Sequence, residues 1–208
     1  VAGSDGMLVG RELGSATVGL VGMAPAAKSM VQMLSGFGSK IVGYDPALHA
    51  SESVFERWGV KPLGLRELLE QSDAVCVQLS FFSRYRGLLG ERFLPFSKPN
   101  QVIVSISHSG LFDEAALATA LISGRVAAAW LDSLEPGALD EDRPLYGIEN
   151  LQITPRVAST TRESRLRSAW AVARRIDELL GAAAPSPQGF KSSAQGLPID
   201  LAIEPQSP

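Results

Sequence analysis

The chain has 208 residues, of which 45% are hydrophobic and 20% are charged, and its formal net charge is −3. This composition supports one folded core at the usual scale of about 100–200 residues per domain, and it excludes a chain that is disordered throughout. The mild acidity gives no electrostatic basis for binding nucleic acid. No apolar run approaches the roughly 20 residues of a membrane span, so we expect no membrane partner. The single cysteine, Cys76, excludes an internal disulfide framework and favours the cytoplasm as the compartment.

Strand-like and helical segments alternate along the chain. Short apolar or β-branched runs predict strands at 17–22, 40–44, 73–79, 101–106, 126–131 and 151–154. Helices are predicted at 25–34, 65–71, 91–96, 113–123 and about 161–180. This alternation, with strand runs apolar enough for burial on both faces, predicts an α/β fold of the Rossmann type: a doubly wound parallel sheet in a single domain.

The composition changes near the end of the last predicted helix. Residues 182–208 are rich in proline, glycine and serine, which predicts a flexible tail, with one apolar island at 197–203 as a candidate docking strand. We therefore assign 1–9 to an N-terminal extension, 10–181 to the folded domain and 182–208 to the tail. Because the chain begins with Val1 and not with methionine, we expect a fragment or a processed form.

A strand that ends in glycine and turns into a helix is typical of a phosphate site, because the first helical N–H groups are free to bind an anion. Gly22 and Ala27 occupy the first and third positions of the motif G-x-G-x-x-G/A, whereas Ala24 adds a Cβ at the second. Pro25 suits the first helical turn but removes one donor. Asp45 stands where a carboxylate binds ribose hydroxyls and disfavours a 2′-phosphate, which favours NAD over NADP.

The same residues also have a purely structural interpretation. In it, the turn after the first strand holds no ligand, and Asp45 only begins the loop that continues with Pro46. The motif alone leaves both interpretations open.

Five blocks of sequence occur in a specific order: GRELGSATVGLVG, YDP, LRELLEQSDAVCVQLS, SHSGLFDEAALATALISGRVAAAWLD and NLQITPRVASTTRES. In these blocks the chain resembles, from about 10 to 180, the NAD-binding domain of the D-isomer-specific 2-hydroxyacid dehydrogenases, the family of phosphoglycerate dehydrogenase and the C-terminal-binding-protein corepressors. The resemblance implies a Rossmann fold and NAD as cofactor. We expect no metal, because the sequence has no cluster of cysteine and histidine with the spacing of metal ligands. The cofactor-binding positions are then Gly22, Ala24, Pro25, Ala26, Asp45, Ser80 and Asp132.

The family's chemistry implies an arginine that binds the substrate, a histidine that acts as acid and base, and a glutamate that orients this histidine. In this chain the three positions hold His108, Arg156 and Gly137, so all three family identities are absent. An arginine does not replace the histidine as acid and base, since a guanidinium pKa above about 12 keeps it protonated. Glu135 lies two residues from the glutamate position, and its direction is not fixed by the sequence.

Two functional hypotheses follow, and a third possibility is some different reaction. The first is a catalytically degenerate domain that binds NAD weakly and serves as a nucleotide-binding or interaction module. The alternative is an active NAD-dependent oxidoreductase on a 2-hydroxy or 2-keto acid, in which His108 relays the proton and Arg156 holds the carboxylate.

The resemblance also predicts a partner. Family members carry a substrate domain on roughly 100 residues before this unit, and the second wall of the cleft is therefore missing from this chain. We expect a lost N-terminal region, a second copy in a homodimer or a separate substrate domain to supply that wall, because hydride transfer needs a closed site that excludes water.

Overall fold

The computed structural model describes residues 11–181. Residues 17–153 form a seven-stranded sheet with helices between several of the strands. All paired strands run parallel, in the order β3-β2-β1-β4-β5-β6-β7. The strands are β1 (Thr17–Val21), β2 (Lys40–Tyr44), β3 (Lys61–Pro62), β4 (Ala74–Val77), β5 (Gln101–Ser105), β6 (Val126–Leu131) and β7 (Leu151–Ile153). The helices are α1 (Pro25–Gly36), α2 (Ser53–Arg57), α3 (Leu65–Gln71), α4 (Glu114–Ile122) and α5 (Arg162–Gly181). The predicted parallel, Rossmann-type sheet is confirmed.

The strand β1 lies between β2 and β4, so the winding direction of the chain reverses at this strand. At its last residue, Val21 lies level with Tyr44 on one side and with Val77 on the other. In sheets of this kind, ligands bind in the crevice outside the carboxyl ends of the strands at such a switch point. The topology therefore marks the loop after β1 as the first place to look for a site.

Two apolar cores lie against β1. Val18 and Leu20 belong to the cluster that holds the buried residues of α1, whereas Val21 belongs to the larger cluster of α3 and α4. Between them, Gly19 permits close packing of α3, because an ideal Cβ there would lie 2.6 Å from a methyl group of Leu68. These contacts hold α1 and α3 against β1, and they thereby fix the position of the loop between β1 and α1.

Burial on both faces was expected for all the apolar strands, and this expectation is wrong for β5. Its residues alternate, with Ile103 fully buried but Val102 and Val104 more than one-third exposed. On the neighbouring strand Trp130 is 48% exposed, although its indole N–H donates to Thr154 Oγ1 at 3.2 Å. Around β5 and β6, the helices of the first 161 residues therefore cover one face of the sheet better than the other.

The predicted elements agree with the structure except where an element is very short. The six predicted strands and four of the five predicted helices are present, with ends that differ by no more than two residues. The segment predicted as a helix at 91–96 contains only the single 3₁₀ turn Leu94–Phe96. The sequence did not reveal α2 and β3, which have five and two residues and are too short for a periodic pattern.

The chain divides into two units by its internal contacts, one ending at Thr161 and the other beginning at Arg162. The second unit, as far as it is described, is α5, which carries an ion pair between Arg175 and Glu178 at 3.0 Å. The predicted extension at 1–9 and the predicted tail at 182–208, including its apolar island, lie outside the described residues. Across residues 11–181, no helix combines the length and apolarity that crossing a membrane requires.

Candidate cofactor and catalytic site

All the predicted site residues follow the carboxyl ends of strands. Gly22 to Ala26 follow β1, Asp45 follows β2, His108 follows β5, Asp132 follows β6 and Arg156 follows β7. Because the carboxyl ends of parallel strands meet at one edge of the sheet, the fold brings these loops to the same side of the molecule.

Gly22 makes a turn that no other residue type fits. Its φ is +101°, and an ideal Cβ at this position would lie 2.6 Å from the backbone nitrogen of Leu79. Its own N–H donates to the carbonyl of Tyr44 at 2.8 Å. The close approach to Leu79 also places the predicted Ser80, the next residue and an exposed one, beside this turn. Gly22 therefore has the backbone geometry that the first glycine of a dinucleotide motif requires.

Asp45 joins the loop after β1 to the loop after β2. One carboxylate oxygen accepts a hydrogen bond from the N–H of Met23 at 2.8 Å, and the other accepts from the N–H of Ala47 at 2.9 Å. Asp45 is only half-buried, and each carboxylate oxygen has a second lone pair available for a ribose hydroxyl. The structural and the ligand-binding interpretations are thus compatible, since the contacts that hold the loops leave acceptor capacity.

The start of α1 offers fewer phosphate donors than the family motif does. Ala24 caps the helix without a side-chain hydrogen bond, and Pro25 is its first residue and has no N–H. The N–H of Ala27 donates to the carbonyl of Ala24 at 2.8 Å, which leaves the exposed Ala26 as the carrier of a free first-turn donor. The Gly22 turn, Asp45 and Ala26 fit a dinucleotide, with a smaller set of hydrogen bonds to its phosphates.

A cavity of about 760 Å³ lies beside this edge. It is lined by His108, Ser109, Ser133, Leu134, Glu135, Pro136, Gly137, Asp140, Asp142, Arg143 and Arg156. The structure thus brings His108 and Arg156, the two predicted catalytic residues, into one cavity together with Gly137.

His108 is held by its own loop and by an aromatic ring. Its Nδ1 accepts a hydrogen bond from the N–H of Gly110 at 3.0 Å. Its ring stacks on Phe81, with the ring centroids 4.4 Å apart and the planes inclined by 17°. Neither contact is a carboxylate, so His108 does not have the orienting acid that the family histidine uses.

Glu135 lies in the same cavity, but its carboxylate is bound to Arg86. Two hydrogen bonds of 3.0 and 3.1 Å join the two side chains, and the Glu135 N–H donates to Ser109 Oγ at 2.9 Å. The hydrogen bond from Arg86 lowers the pKa of Glu135 and outweighs the opposing effect of burial, and the charges of Arg86, His108 and Arg143 lower the pKa further. Glu135 is therefore a fixed anion in an ion pair and a poor proton acceptor for His108.

Asp132 holds the segment that carries Arg156. This buried carboxylate accepts hydrogen bonds from Thr154 Oγ1 and from the N–H groups of Val157 and Ala158, both at 2.9 Å. Burial by itself raises the pKa of Asp132, but the three hydrogen bonds outweigh it, and the net pKa is lowered. These contacts give Asp132 a structural role, and its predicted role as a cofactor-binding residue stays a prediction.

Arg156 has a left-handed backbone, with φ of +57° and ψ of +44°. Such a conformation is uncommon for residues other than glycine, asparagine and aspartate, and it is found more often at functional sites than elsewhere. Arg156 is exposed and lines the cavity, and across residues 11–181 no ion pair of its guanidinium group is found. Its positive charge still acts on the nearby Asp132 carboxylate, where it contributes to the lowered pKa.

Sequence reasoning missed Phe81 and Arg86, which contact His108 and Glu135. Both follow β4, so their position after a strand end was a signal, although their partners lie more than 20 residues away in sequence. Among residues 11–181 no group of three histidine, cysteine, aspartate or glutamate side chains could hold a metal ion.

The model of a protein family described as the NAD-binding domain of D-isomer specific 2-hydroxyacid dehydrogenases matches residues 3–158. The chain is 34% identical over 169 residues to a D-3-phosphoglycerate dehydrogenase of Mycobacterium bovis, which covers 80% of this chain and 31% of the relative. It is 31% identical over 170 residues to a glyoxylate reductase of Aeropyrum pernix, covering 82% and 50%. The chain therefore spans half or less of the length of these relatives.

Solved structures show the same fold at lower identity. An acyclic imino acid reductase in complex with NADPH and D-Arg matches with a TM-score of 0.72 and 23% identity, over 84% of this chain and 54% of that one. A D-lactate dehydrogenase from Aquifex aeolicus, complexed with NAD and lactic acid, matches with a TM-score of 0.70 and 21% identity, over 86% and 60%. Fold, motif order and family match agree: the chain belongs to the family of NAD-binding domains of D-isomer specific 2-hydroxyacid dehydrogenases.

Proposed function

We propose that this chain binds NAD but does not perform the family's dehydrogenase reaction, and that it serves as a nucleotide-binding or interaction module. The observation that carries the proposal is a contrast between two parts of one sheet edge. The turn at Gly22, and the hydrogen bond from the next residue, Met23, to Asp45, retain a backbone arrangement that suits a dinucleotide. In the neighbouring cavity Glu135 is bound to Arg86, and His108 has a backbone N–H as partner where an acid/base pair would need a carboxylate.

In this proposal Gly22, Ala24 and Ala26 approach the pyrophosphate, Asp45 accepts from the ribose, and Ser80 lies beside the same crevice. When bound, NAD supplies a hydride acceptor. Pro25 supplies no hydrogen bond, so the binding is weaker than that of a complete motif by about one hydrogen bond to a charged group, which is roughly 1.5–3 kcal/mol before compensation by water.

The proposed binding is tested by titrating the full chain with NADH and with NADPH while following the nicotinamide fluorescence. We expect saturation with NADH and weaker binding of NADPH, because Asp45 repels a 2′-phosphate. Asp45→Asn should reduce the preference for NADH, while Asp142→Asn, the same charge change on the cavity wall, should leave it unchanged. Absence of NADH binding at millimolar concentration would remove the proposal.

The affinity should also respond to repair of the motif. Pro25→Ala adds an N–H at the first residue of α1, and Ala24→Gly removes the Cβ nearest the expected pyrophosphate. Each change should tighten NADH binding by up to about tenfold, which corresponds to about 1.4 kcal/mol. Binding that is unchanged in both variants would show that the cofactor does not approach this helix.

The alternative function, an active oxidoreductase with exchanged roles, is favoured by one observation: His108 and Arg156 line the same cavity. It requires a second wall for the cleft, which a partner copy or a separate substrate domain would supply. Oxidation of NADH by pyruvate, glyoxylate or hydroxypyruvate tests it. Turnover that is lost in His108→Ala and kept in Glu67→Gln, a change at an exposed residue of α3 outside the cavity, would replace the first proposal with this one.

A further inference from the structure

One half of the sheet has a face that the helices between the strands leave open. The strand register places neighbouring residues in rows that cross this face from strand to strand. One row begins at Leu20, which is fully buried under α1, and continues with the half-buried Cys76, with Val104 at 38% exposure and with Trp130 at 48%. Within residues 11–161, the helical cover of this face therefore ends at β4.

The open part of the face is apolar. A second row leads from the buried Val18 to the exposed Val102, and Ile106, which follows β5, is 49% exposed. We define the β5–β6 face by six side chains, none of which is charged: Cys76, Val102, Val104, Ile106, Ala128 and Trp130. The indole N–H of Trp130 already donates to Thr154 Oγ1 at 3.2 Å, so this ring can be covered without the loss of a hydrogen bond.

The size of the β5–β6 face indicates what kind of partner covers it. Parallel sheets are ordinarily covered on both faces, so an apolar partner is expected here. A standard interface between two proteins takes about 20–30 residues a side, and the six side chains of this face are too few to hold a second copy by themselves. A segment of the same chain needs less area, because its tether gives it an effective concentration on the order of millimolar.

The apolar island at 197–203, which lies outside the described residues, has a pattern that matches this face. Its large aliphatic residues occupy every second position: Leu197, Ile199, Leu201 and Ile203. In an extended segment these side chains point to one side, and the residues between them, such as Asp200, point to the other. The aliphatic side chains then repeat at about 6.6 Å, the same spacing as the exposed residues of β5.

The chain between α5 and the island is long enough for the island to reach the sheet. Residues 182–196 span up to about 50 Å, at about 3.3 Å per residue. Helix α5 has 20 residues and is therefore about 30 Å long. Whatever the direction of α5, the island can return past its first residue, Arg162, to the part of the chain that follows β7.

We propose that residues 197–203 bind the β5–β6 face of the same chain as an extended segment. The aliphatic side of the segment packs on β5 and on Trp130, and Asp200 faces the solvent. The thiol of Cys76, at the inner border of the face, becomes less accessible when the segment is bound. This binding requires neither a dinucleotide nor a substrate, so it is independent of the proposed function.

The rate at which Cys76 of the full chain reacts with a disulfide reagent reports whether the face is covered, because the chain has one cysteine. Leu201→Asp should weaken the binding of the segment at least about tenfold, since it places a charge on the aliphatic side. We expect Cys76 to react at least about threefold faster in this variant. The matched control is Ala202→Asp, which adds the same charge on the opposite side of the segment and should leave the rate unchanged.

The fluorescence of Trp130 gives a second readout at the centre of the face. Trp58→Phe and Trp170→Phe together leave Trp130 as the single tryptophan, because the chain has three. Quenching of this tryptophan by acrylamide should become stronger when Leu201→Asp is added and should not change when Ala202→Asp is added. Both readouts are recorded without NADH.

Three results would overturn the proposal. The first is equal thiol reactivity and equal quenching in the parent chain and in Leu201→Asp. The second is an effect of Ala202→Asp as large as that of Leu201→Asp, because the two sides of the segment would then be equivalent. The third is protection of Cys76 that is lost on dilution of the protein, which would show that a second copy covers the face.

Discussion

Replacement of Asp132 should destabilise the wall of the cavity in a manner that depends on pH. The side chain accepts from Thr154 Oγ1 and Val157 N–H with one oxygen and from Ala158 N–H with the other. In Asp132→Asn the amide oxygen keeps one set of bonds, and the amide NH₂ group faces the second N–H donor. The variant therefore loses one hydrogen bond to a charged acceptor and the charge assistance of the others.

A hydrogen bond to a charged group contributes about 1.5–3 kcal/mol. Val157 and Ala158 are exposed, so water can solvate the released N–H group and the loss belongs at the lower end. We expect Asp132→Asn to reduce the free energy of unfolding by about 2 kcal/mol at pH 7. The matched control is Asp142→Asn, which removes the same charge from an exposed residue of the cavity and should change stability by less than about 0.5 kcal/mol.

The pH dependence follows from the lowered pKa of the Asp132 carboxyl. Burial opposes ionisation, but the hydrogen bonds from Thr154, Ala158 and Val157 favour it more strongly. A group whose pKa is lower in the folded state binds its proton more readily in the unfolded state, so its stabilising effect is complete above the ordinary pKa of about 3.9. That effect is lost as the pH falls through the lower, folded-state pKa.

Urea unfolding of the parent chain, Asp132→Asn and Asp142→Asn at pH 7, 4 and 3, followed by circular dichroism, measures both quantities. We expect the free energies of unfolding of the parent and of Asp132→Asn to differ by about 2 kcal/mol at pH 7, and this difference to become smaller at pH 3. A gap that is absent at pH 7, or that stays constant down to pH 3, would refute the assignment of Asp132 as the ionised residue that holds this segment.

Three further outcomes test other parts of the structure. Gly22→Ala should lower the free energy of unfolding in urea by at least about 2 kcal/mol and abolish NADH binding. The reason is that Gly22 has a positive φ and that a Cβ there would clash with the Leu79 backbone. Unchanged NADH affinity would contradict this. Burial raises the pKa of the Cys76 thiol to about 11. Its reaction with a disulfide reagent at pH 8 should therefore be at least about a hundredfold slower than that of free cysteine. A rate close to that of free cysteine would show that the thiol is accessible as a thiolate. Asp73→Asn should lower the free energy of unfolding by about 1 kcal/mol at pH 7 and by less at pH 3. Burial raises the pKa of the Asp73 carboxyl, but hydrogen bonds from Lys98 and from Thr17 N–H lower it overall. A loss of stability that grows on acidification would be inconsistent with a lowered pKa.

Most of the fold could be predicted because each major element has a local signal in the sequence. The apolar residues of α1 recur at helical spacing, and Asp113 begins α4 as a cap whose side chain accepts from Ala116 N–H at 2.9 Å. The exposure of Val102 and Val104 could not be predicted in this way. It depends on which helices cover the sheet, and an apolar run alone does not reveal whether both faces are covered.

The site was predictable in its positions and not in its contacts. Strand ends and the family motif place Gly22, Asp45, His108 and Arg156 at one edge of the sheet. That Glu135 binds Arg86 and not His108 depends on side-chain directions in loops 49 residues apart, which no local pattern encodes. The structure therefore changes the interpretation of His108, although its position was expected.

The double attachment of Asp45 has a consequence for the kinetics of cofactor binding. Because its carboxylate already ties Met23 to Ala47 in the free chain, the cofactor finds these loops in place, and association carries little cost for ordering them. Encounter rates should then differ little between the parent chain and variants at Ala24 or Pro25. The smaller number of hydrogen bonds to the phosphates should instead give the bound dinucleotide a short residence time. A short residence time suits a module that responds to changes in nucleotide concentration.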